Sequence, residues 1–326
     1  MGVPFNDKKT SAHDEDKTSA HGEDKASALG GDKASALGGK KPISIRNRGQ
    51  WRDIAYRLSR NRLAMIGLVI VVLLLVMAVF ADVIAPYHYA EQDMANRFSK
   101  LTLQHPFGTD NYGRDILSRI IYGARISLLT AFGAVCMSLL AGGILGLIAG
   151  FFGGIVETVI IRVIDIVQAI PGFLLAVAVQ SVLGSGYFNT MLALAVSSIA
   201  PNTRILRAAV LSIRGQEFVR AARATGSRGW RIILKHILPN TIAPVLVNAT
   251  LSIGGSILAI SGLSFVGLGV GPPTAEWGAM LNAGRAYIRD YWQLITFPGI
   301  SIMLTLFGFN VFGDGLRDAL DPRLKR

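Results

Sequence analysis

Between Glu217 and Pro239 the chain reads EFVRAARATGSRGWRIILKHILP, a polar, arginine-rich stretch bounded by long uncharged runs. Runs of that length and apolarity belong to a chain that crosses a membrane, so this stretch is expected to be cytosolic protein held on a membrane scaffold. Its pattern predicts two short helices. Phe218, Ala221, Ala222 and Thr225 share one face at i, i+3, i+4 and i+7, and Gly226 breaks the run. Trp230, Ile233, Leu234 and Ile237 then resume it before Pro239. Small side chains on the first face let another surface approach closely, and the surrounding arginines orient it. Two readings stand at this level: a docking knuckle, or an amphipathic connector lying on the membrane.

Composition sets the frame. Of 326 residues 51% are hydrophobic and only 17% charged, with a mean hydropathy of +0.44, which excludes an ordinary soluble globular chain. The net charge is +12, yet the first 39 residues hold five lysines against seven carboxylates, so the excess rests wholly on residues 40–326. There the basic residues cluster beside apolar runs, as in cytoplasmic membrane flanks; no recognition motif accompanies them, which argues against nucleic acid as a partner. Residues 1–44 are expected to form a disordered cytoplasmic tail. They carry an eight-residue repeat (HDEDKTSA from His13, HGEDKASA from His21, LGGDKASA from Leu29) with almost no large apolar side chains to offset the entropy of ordering. The two histidines of the repeat are read as its by-product rather than metal ligands, and no secretory signal is expected here. Cys136 is the sole cysteine, which rules out an intrachain disulfide and a cysteine-rich metal site.

Since about 20 apolar residues cross a bilayer, the uncharged stretches place six spans at about 63–83, 127–151, 158–183, 190–212, 242–264 and 291–313. The expected organisation is then an N-terminal amphipathic segment, first span and exported loop over 45–123, a core over 124–314 with a cytosolic loop at 213–241, and a cytoplasmic tail at 315–326. Gly142, Gly146 and Gly150 recur every four residues and predict a helix packed inside a bundle. Pro171 predicts a kink in the third span. Charge asymmetry sets the orientation. Residues 40–62 and 204–235 each hold eight Lys or Arg against one carboxylate, while the loops 82–125 and 276–290 balance to zero, which places both termini in the cytoplasm.

Several charged residues are candidate sites. Arg162 and Asp165, at i and i+3 near the cytoplasmic edge of the third span, are read as an intramembrane ion pair. In the exported loops Asp110, Arg114, Asp115, Glu276 and Trp277 sit among turn formers and either present a docking platform or cap helix ends. Catalytic constellations are missing. There is no phosphate-binding G-x-x-x-x-G-K-[ST] loop, no HExxH and no GxSxG elbow, and His236 has no nearby carboxylate to make it a base. The chain is therefore expected to be no enzyme and to bind no cofactor or metal itself. The triplet at Asn248 falls inside a span and is not a glycosylation site.

Ala221, Ala222 and Gly226 followed by Leu238 and Pro239 resemble the EAA signature of permease subunits in ATP-binding-cassette importers; Arg220 stands where that signature has its glutamate, and His236 where isoleucine is frequent. With FGTDNYGRDILSR from Phe107, YGARISL from Tyr122, GLIAGFFGG from Gly146, RVIDIVQAIP from Arg162, PPTAEWGAML from Pro272 and FNVFGDGLRDALDPRLK from Phe309, the chain from about Ile45 onward is similar to the C-type permeases of dipeptide and oligopeptide importers. The resemblance implies an all-α integral membrane fold of the type I importer class in a bacterial inner membrane. It implies a second, homologous permease, two cytosolic ATPases that use ATP and Mg at their own sites, and an extracytoplasmic peptide-binding protein. The coupling loop, with Glu217, Ala221, Ala222, Gly226, Leu238 and Pro239, would receive the motion of an ATPase. The family also takes up other solutes, such as metal chelates. Without the resemblance, a secondary carrier or a membrane scaffold stays open; a carrier would show intramembrane carboxylates in broken helices and a repeat of spans.

Overall fold

A computed structural model describes residues 50–320; the repeat-bearing tail and the last six residues lie outside it. The described residues are helical, with no strand beyond an isolated Thr109–Asp115 bridge. Helix α1 (Gln50–Arg60) carries the basic flank, and α2 (Arg62–Val79) is capped by Asn61, whose side chain accepts from the Ala64 amide at 3.2 Å. A single turn, α3 (Ala81–Ile84), leads into an irregular segment that reaches α4 (Ile116–Phe152). Next come α5 (Gly154–Gln168), α6 (Gly172–Leu183) and α7 (Tyr187–Arg214). The arginine-rich stretch forms α8 (Glu217–Ala224) and α9 (Gly229–Ile232), and a π turn at Ile233–Ile237 joins it to α10 (Leu238–Phe265). A short α11 (Trp277–Gly284) precedes α12 (Gln293–Leu320).

Small residues set how closely these helices pack. The stripe Gly142, Gly146 and Gly150 faces α7 along its length. A Cβ at Gly142 would lie 2.6 Å from the Ile199 carbonyl, one at Gly146 2.6 Å from that of Thr203, and one at Gly150 2.7 Å from Val210 Cβ. The helices are therefore in backbone contact, the geometry that small residues permit where lipid supplies no hydrophobic drive between helices. A polar ladder joins the same pair to α10: Asn202 donates to Ser138 Oγ at 2.9 Å and Asn248 donates to Asn202 at 2.8 Å. On the other side α2 meets α12 where Gly67 faces Gly308 and Phe312 and Gly315 faces Ala64. The main core gathers Ile116, Ile120, Leu128, Ile257, Leu263 and Met280 around Trp277, which is wholly buried and donates its indole N–H to the Ile120 carbonyl at 3.0 Å. Large apolar side chains such as Leu63, Leu73, Phe132, Leu140 and Ile144 point outward, as expected where lipid is the solvent.

The expected spans need three corrections. By length and apolarity four helical stretches among the described residues can cross a membrane: 62–79, 116–152, 229–265 and 293–320. A fifth exists if α5 and α6, bent by 82° across Pro171, count as one. Helix α7 is long enough but carries Asn189, Asn202 and Arg204 among its polar residues, so the six-span count rests on reading it as a crossing packed against α4. Second, α4 begins at Ile116, not near 127. Arg119 and Arg125, expected in the exported loop, are helical. Arg119 donates to the Tyr89 carbonyl at 3.1 Å; Arg125 donates to the Ala78 and Val79 carbonyls at 2.8 and 3.1 Å, closing the end of α2. Third, α12 runs to Leu320, past the expected start of a tail at 315.

Candidate coupling surface

The stretch from Glu217 to Ile237 is seated on a small core of its own. Val219, Ile232, Ile233 and Ile237 are buried against Phe151 at the end of α4 and Val210 and Ile213 at the end of α7, with Ala222 packed at the margin. Around that core the carbonyls ending α4 are taken up by arginine: Arg214 donates to Gly150 O at 2.9 Å, and Arg223 lies over the Phe151 ring at 5.3 Å. Arg220 bonds back to the Gly215 carbonyl at 3.0 Å. Two short elements are thus held on the ends of two long helices, an arrangement able to transmit displacement as a rigid body.

The partition of faces differs from the one that the sequence pattern predicts. In α8 it is Val219 that turns inward, while Phe218, Ala221 and Thr225 face out and Ala222 straddles the boundary. In the second run Ile233 and Ile237 are buried but Trp230 and Leu234 are more than half exposed. The second run is also not a regular helix: residues 233–237 form a π turn, whose wider i→i+5 repeat departs from the 3.6-residue period that the pattern assumes. Gly226 ends α8 at φ +76°. Its amide donates to Arg223 O at 3.0 Å and the Ser227 amide to Ala222 O at 3.2 Å, the paired bonds of a Schellman cap. Glu217 is exposed in the first turn of α8, Leu238 is half-buried and Pro239 opens α10 exposed. His236 is half-buried beside Phe218, with ring centroids 6.3 Å apart.

The intramembrane pair is not the one predicted. Asp165 reaches across to Arg204 of α7, and Glu157, one turn from the start of α5, pairs with Arg207, whose Nε lies 2.7 Å from its Oε1. Arg162 is exposed and forms no ion pair among the described residues. Residues at i and i+3 are neighbours on a helix, but a closer partner on an adjacent helix takes the carboxylate.

All five candidates in the loops expected to be exported turn inward. Asp110 organises a tight turn, accepting from the Tyr112 and Arg114 amides at 2.9 and 3.0 Å and from Arg114 Nε at 2.7 Å. Asp115 caps α4, accepting from the Ser118 amide and hydroxyl, both at 2.7 Å, with His105 Nδ1 at 3.0 Å from its other oxygen. Glu276 caps α11, accepting from Gly278 and Ala279 at 2.8 Å each; it lies wholly buried, and burial pushes its carboxyl up, although those amides and hydroxyls oppose the shift. With Trp277 also buried, this geometry is capping and internal pairing, not a presented platform.

Residues 142–326, more than half the chain, match the family model of the binding-protein-dependent transport system inner membrane component. The chain belongs to that family. Residues 49–106 match the N-terminal transmembrane domain of oligopeptide transport permease C. Among relatives of this inner membrane component are a dipeptide transport system permease protein of Alkalihalophilus pseudofirmus, 45% identical over 84% of the chain and 90% of the relative, and an oligopeptide transport system permease protein of Bacillus subtilis, 40% identical over 87% and 93%. A glutathione transport system permease protein of Escherichia coli is 44% identical over 85% and 92%. In fold, the chain matches a chain of the MetNI methionine ABC transporter solved in inward-facing form, with a TM-score of 0.52 at 18% identity over 62% of this chain and 96% of that one. The inner membrane component is thus a multi-pass permease subunit and not an enzyme, which sets aside the secondary carrier and the scaffold. Sequence reading missed Val219 and Ile232 as anchors and the Arg207–Glu157 and Arg214 ties. Glu157 was visible as a lone carboxylate beside an apolar run, but its partner lies 50 residues away.

Proposed function

We propose that this permease forms half of the translocation pathway of a peptide importer and receives the ATPase stroke through α8 and α9. Each of the dipeptide, oligopeptide and glutathione relatives is named for a peptide, which supports peptides as the solute. A second, homologous permease completes the pathway, two cytosolic ATPases bind ATP and Mg, and an extracytoplasmic binding protein delivers the peptide. The observation that carries the reading is the two-sidedness of the cytosolic segment. Val219, Ile232, Ile233 and Ile237 fix it to the bundle, while Phe218, Trp230 and Leu234, all large and apolar, stay exposed beside Ala221. An exposed apolar set on a rigid support is what a partner's cleft buries. Membrane lipid surrounds the bundle, and both termini are assigned to the cytoplasm.

Ala221 gives the sharpest test, because it is exposed and a larger side chain there disturbs no packing within the chain. Ala221→Trp should leave the membrane level of the protein unchanged, abolish co-purification of the ATPase subunits and lower peptide uptake by at least about tenfold, the effect of losing roughly 1.4 kcal/mol of docking free energy. Normal uptake and an intact complex in this variant would refute the assignment.

A further inference from the structure

Between α5 and α6 the chain bends by 82°, and Ala169, Ile170, Pro171 and Gly172 at the corner are all exposed. Pro171 accounts for the break: it has no N–H to give, and it disfavours helical backbone at Ile170 before it. The corner leaves six backbone groups free. No described residue donates to the carbonyls of Gln168, Ala169 or Ile170, and none accepts from the amides of Gly172, Phe173 or Leu174. Two neighbours give the depth. Helix α6 has 12 residues between the corner and the turn at Gly184, and Ser197 of α7, whose carbonyl is nearest to a Cβ placed on Gly172 at 4.0 Å, stands ten residues beyond Tyr187. At 1.5 Å per residue the corner lies about 15–18 Å from the turn at one end of α7, and about 26 Å of that helix separate Ser197 from Arg214 at the other. With α7 a crossing, this is inside a hydrocarbon core of about 30 Å.

Lipid cannot face such a corner. Hydrocarbon offers no hydrogen bond, so irregular backbone at that depth persists only where it is buried in protein or lines water. The neighbouring side chains favour water. Arg162, Asp165 and Gln168, three residues apart, run along one edge of α5 to the corner; Arg162 and Gln168 are exposed, and in the Asp165–Arg204 pair the side chains are 41% and 46% exposed. A charge pair that open inside a span belongs on a water-filled path. We infer that the corner at 169–172 lines the aqueous path of the solute, where its free amides and carbonyls hydrogen-bond the main chain of a passing peptide. The peptide part rests on the function proposed above. Carbonyls ending α5 accept and amides opening α6 donate, which matches the N–H and C=O groups that every peptide carries whatever its side chains. Exposed Ile166, Phe173 and Leu174 add apolar surface beside them.

The complete importer in lipid nanodiscs, with Cys136→Ser as background, provides the test. A charged methanethiosulfonate reacts with the thiolate, a form that needs water, so Gly172→Cys and Gln168→Cys should each react at least about tenfold faster than Leu140→Cys on the outward face of α4. Gln168 is exposed, so its replacement disturbs no packing if the glycine variant fails to fold. Trialanine, a peptide without ionisable side chains, should slow both reactions in a saturable way and leave Leu140→Cys unchanged. Rates at both positions equal to that at Leu140 would overturn the inference. So would rapid reaction in the isolated chain that is lost in the complete importer, because the second permease would then cover the corner. Trialanine that is taken up without slowing either reaction would overturn the peptide contact. An importer that takes up no peptide refutes the proposed function instead, and the rates without peptide still decide whether the corner lines water.

Discussion

At Gly226 the demand for glycine comes from the backbone rather than from space. A Cβ placed there would touch nothing in the chain, but the left-handed φ of +76° disfavours any L side chain by about 1–2 kcal/mol. Gly226→Ala should therefore loosen the turn between α8 and α9 and lower peptide-stimulated ATPase activity of the assembled importer, whereas Gly226→Asn, which tolerates that conformation, should retain most of it. Equal loss in both variants would indicate that the space at 226 is used by a partner. Glu276 offers a second test. Its carboxyl is pushed above the ordinary value of 4.5 by burial, so the folded state prefers the protonated form. The resulting stability is complete below that ordinary value and is lost as pH rises through the higher, folded-state one. The thermal midpoint of the wild type relative to Glu276→Gln should accordingly fall as pH is raised from about 4 to 8; a constant difference would place the carboxyl at its unfolded value. Gly226 was legible in the sequence because a helix-ending glycine is a local signal. The burial of Glu276 was not: in a glycine- and proline-rich stretch it reads as surface, and Ser127, which reaches it at 3.4 Å, stands 149 residues away.

Among elements, the glycine stripe of α4 shows what periodicity can and cannot disclose. Repetition every four residues announced a close helix partner, and α7 fills that place with carbonyls and Val210 where side chains would otherwise stand. It could not say which helix the partner was, and the same blindness misassigned Asp165. Local spacing offered Arg162, three residues away; the fold offers Arg204, brought across from α7. A double-mutant cycle separates the two. Asp165→Asn combined with Arg204→Gln should show a coupling of about 0.2–1 kcal/mol in thermal stability, modest because both groups are nearly half exposed, while Asp165→Asn with Arg162→Gln should be additive. Additivity in the first cycle with coupling in the second would restore the intrahelical pair. The π turn at Ile233–Ile237 is a similar case. The sequence identified the apolar residues of the knuckle but assigned their faces on a 3.6-residue period, whereas the fold buries Ile232, Ile233 and Ile237, includes one wide turn, and leaves Trp230 and Leu234 outside. Under the proposed coupling role, those two exposed side chains join Phe218 and Ala221, rather than the buried isoleucines, in the surface offered to a partner.

For the whole molecule the open quantity is the parity of crossings between the exported turn and the cytosolic knuckle. Between Gln104 and Ser227 the chain runs through α4, the bent pair α5–α6, and α7. If each crosses, those positions lie on opposite sides of the membrane; if α7 stays in or the bent pair returns to its own side, they share one. Charge asymmetry argues for three crossings, because the loop holding Gln104 is balanced while that holding Ser227 is strongly basic. Packing argues the same way. Helix α7 lies in backbone contact with α4 along Gly142, Gly146 and Gly150, so the two share a depth, and Asn202, one of the polar residues that make α7 a poor span by composition, is turned to Ser138 and Asn248 inside the bundle rather than to lipid. In a Cys136→Ser background, a membrane-impermeant maleimide should label Gln104→Cys from the extracytoplasmic side of intact spheroplasts and Ser227→Cys only after lysis. Labelling of both from one side would remove a crossing. The segment from Glu217 to Pro239 would then lie outside the cytoplasm, out of reach of any ATPase, and the coupling role assigned to it would fall with the topology.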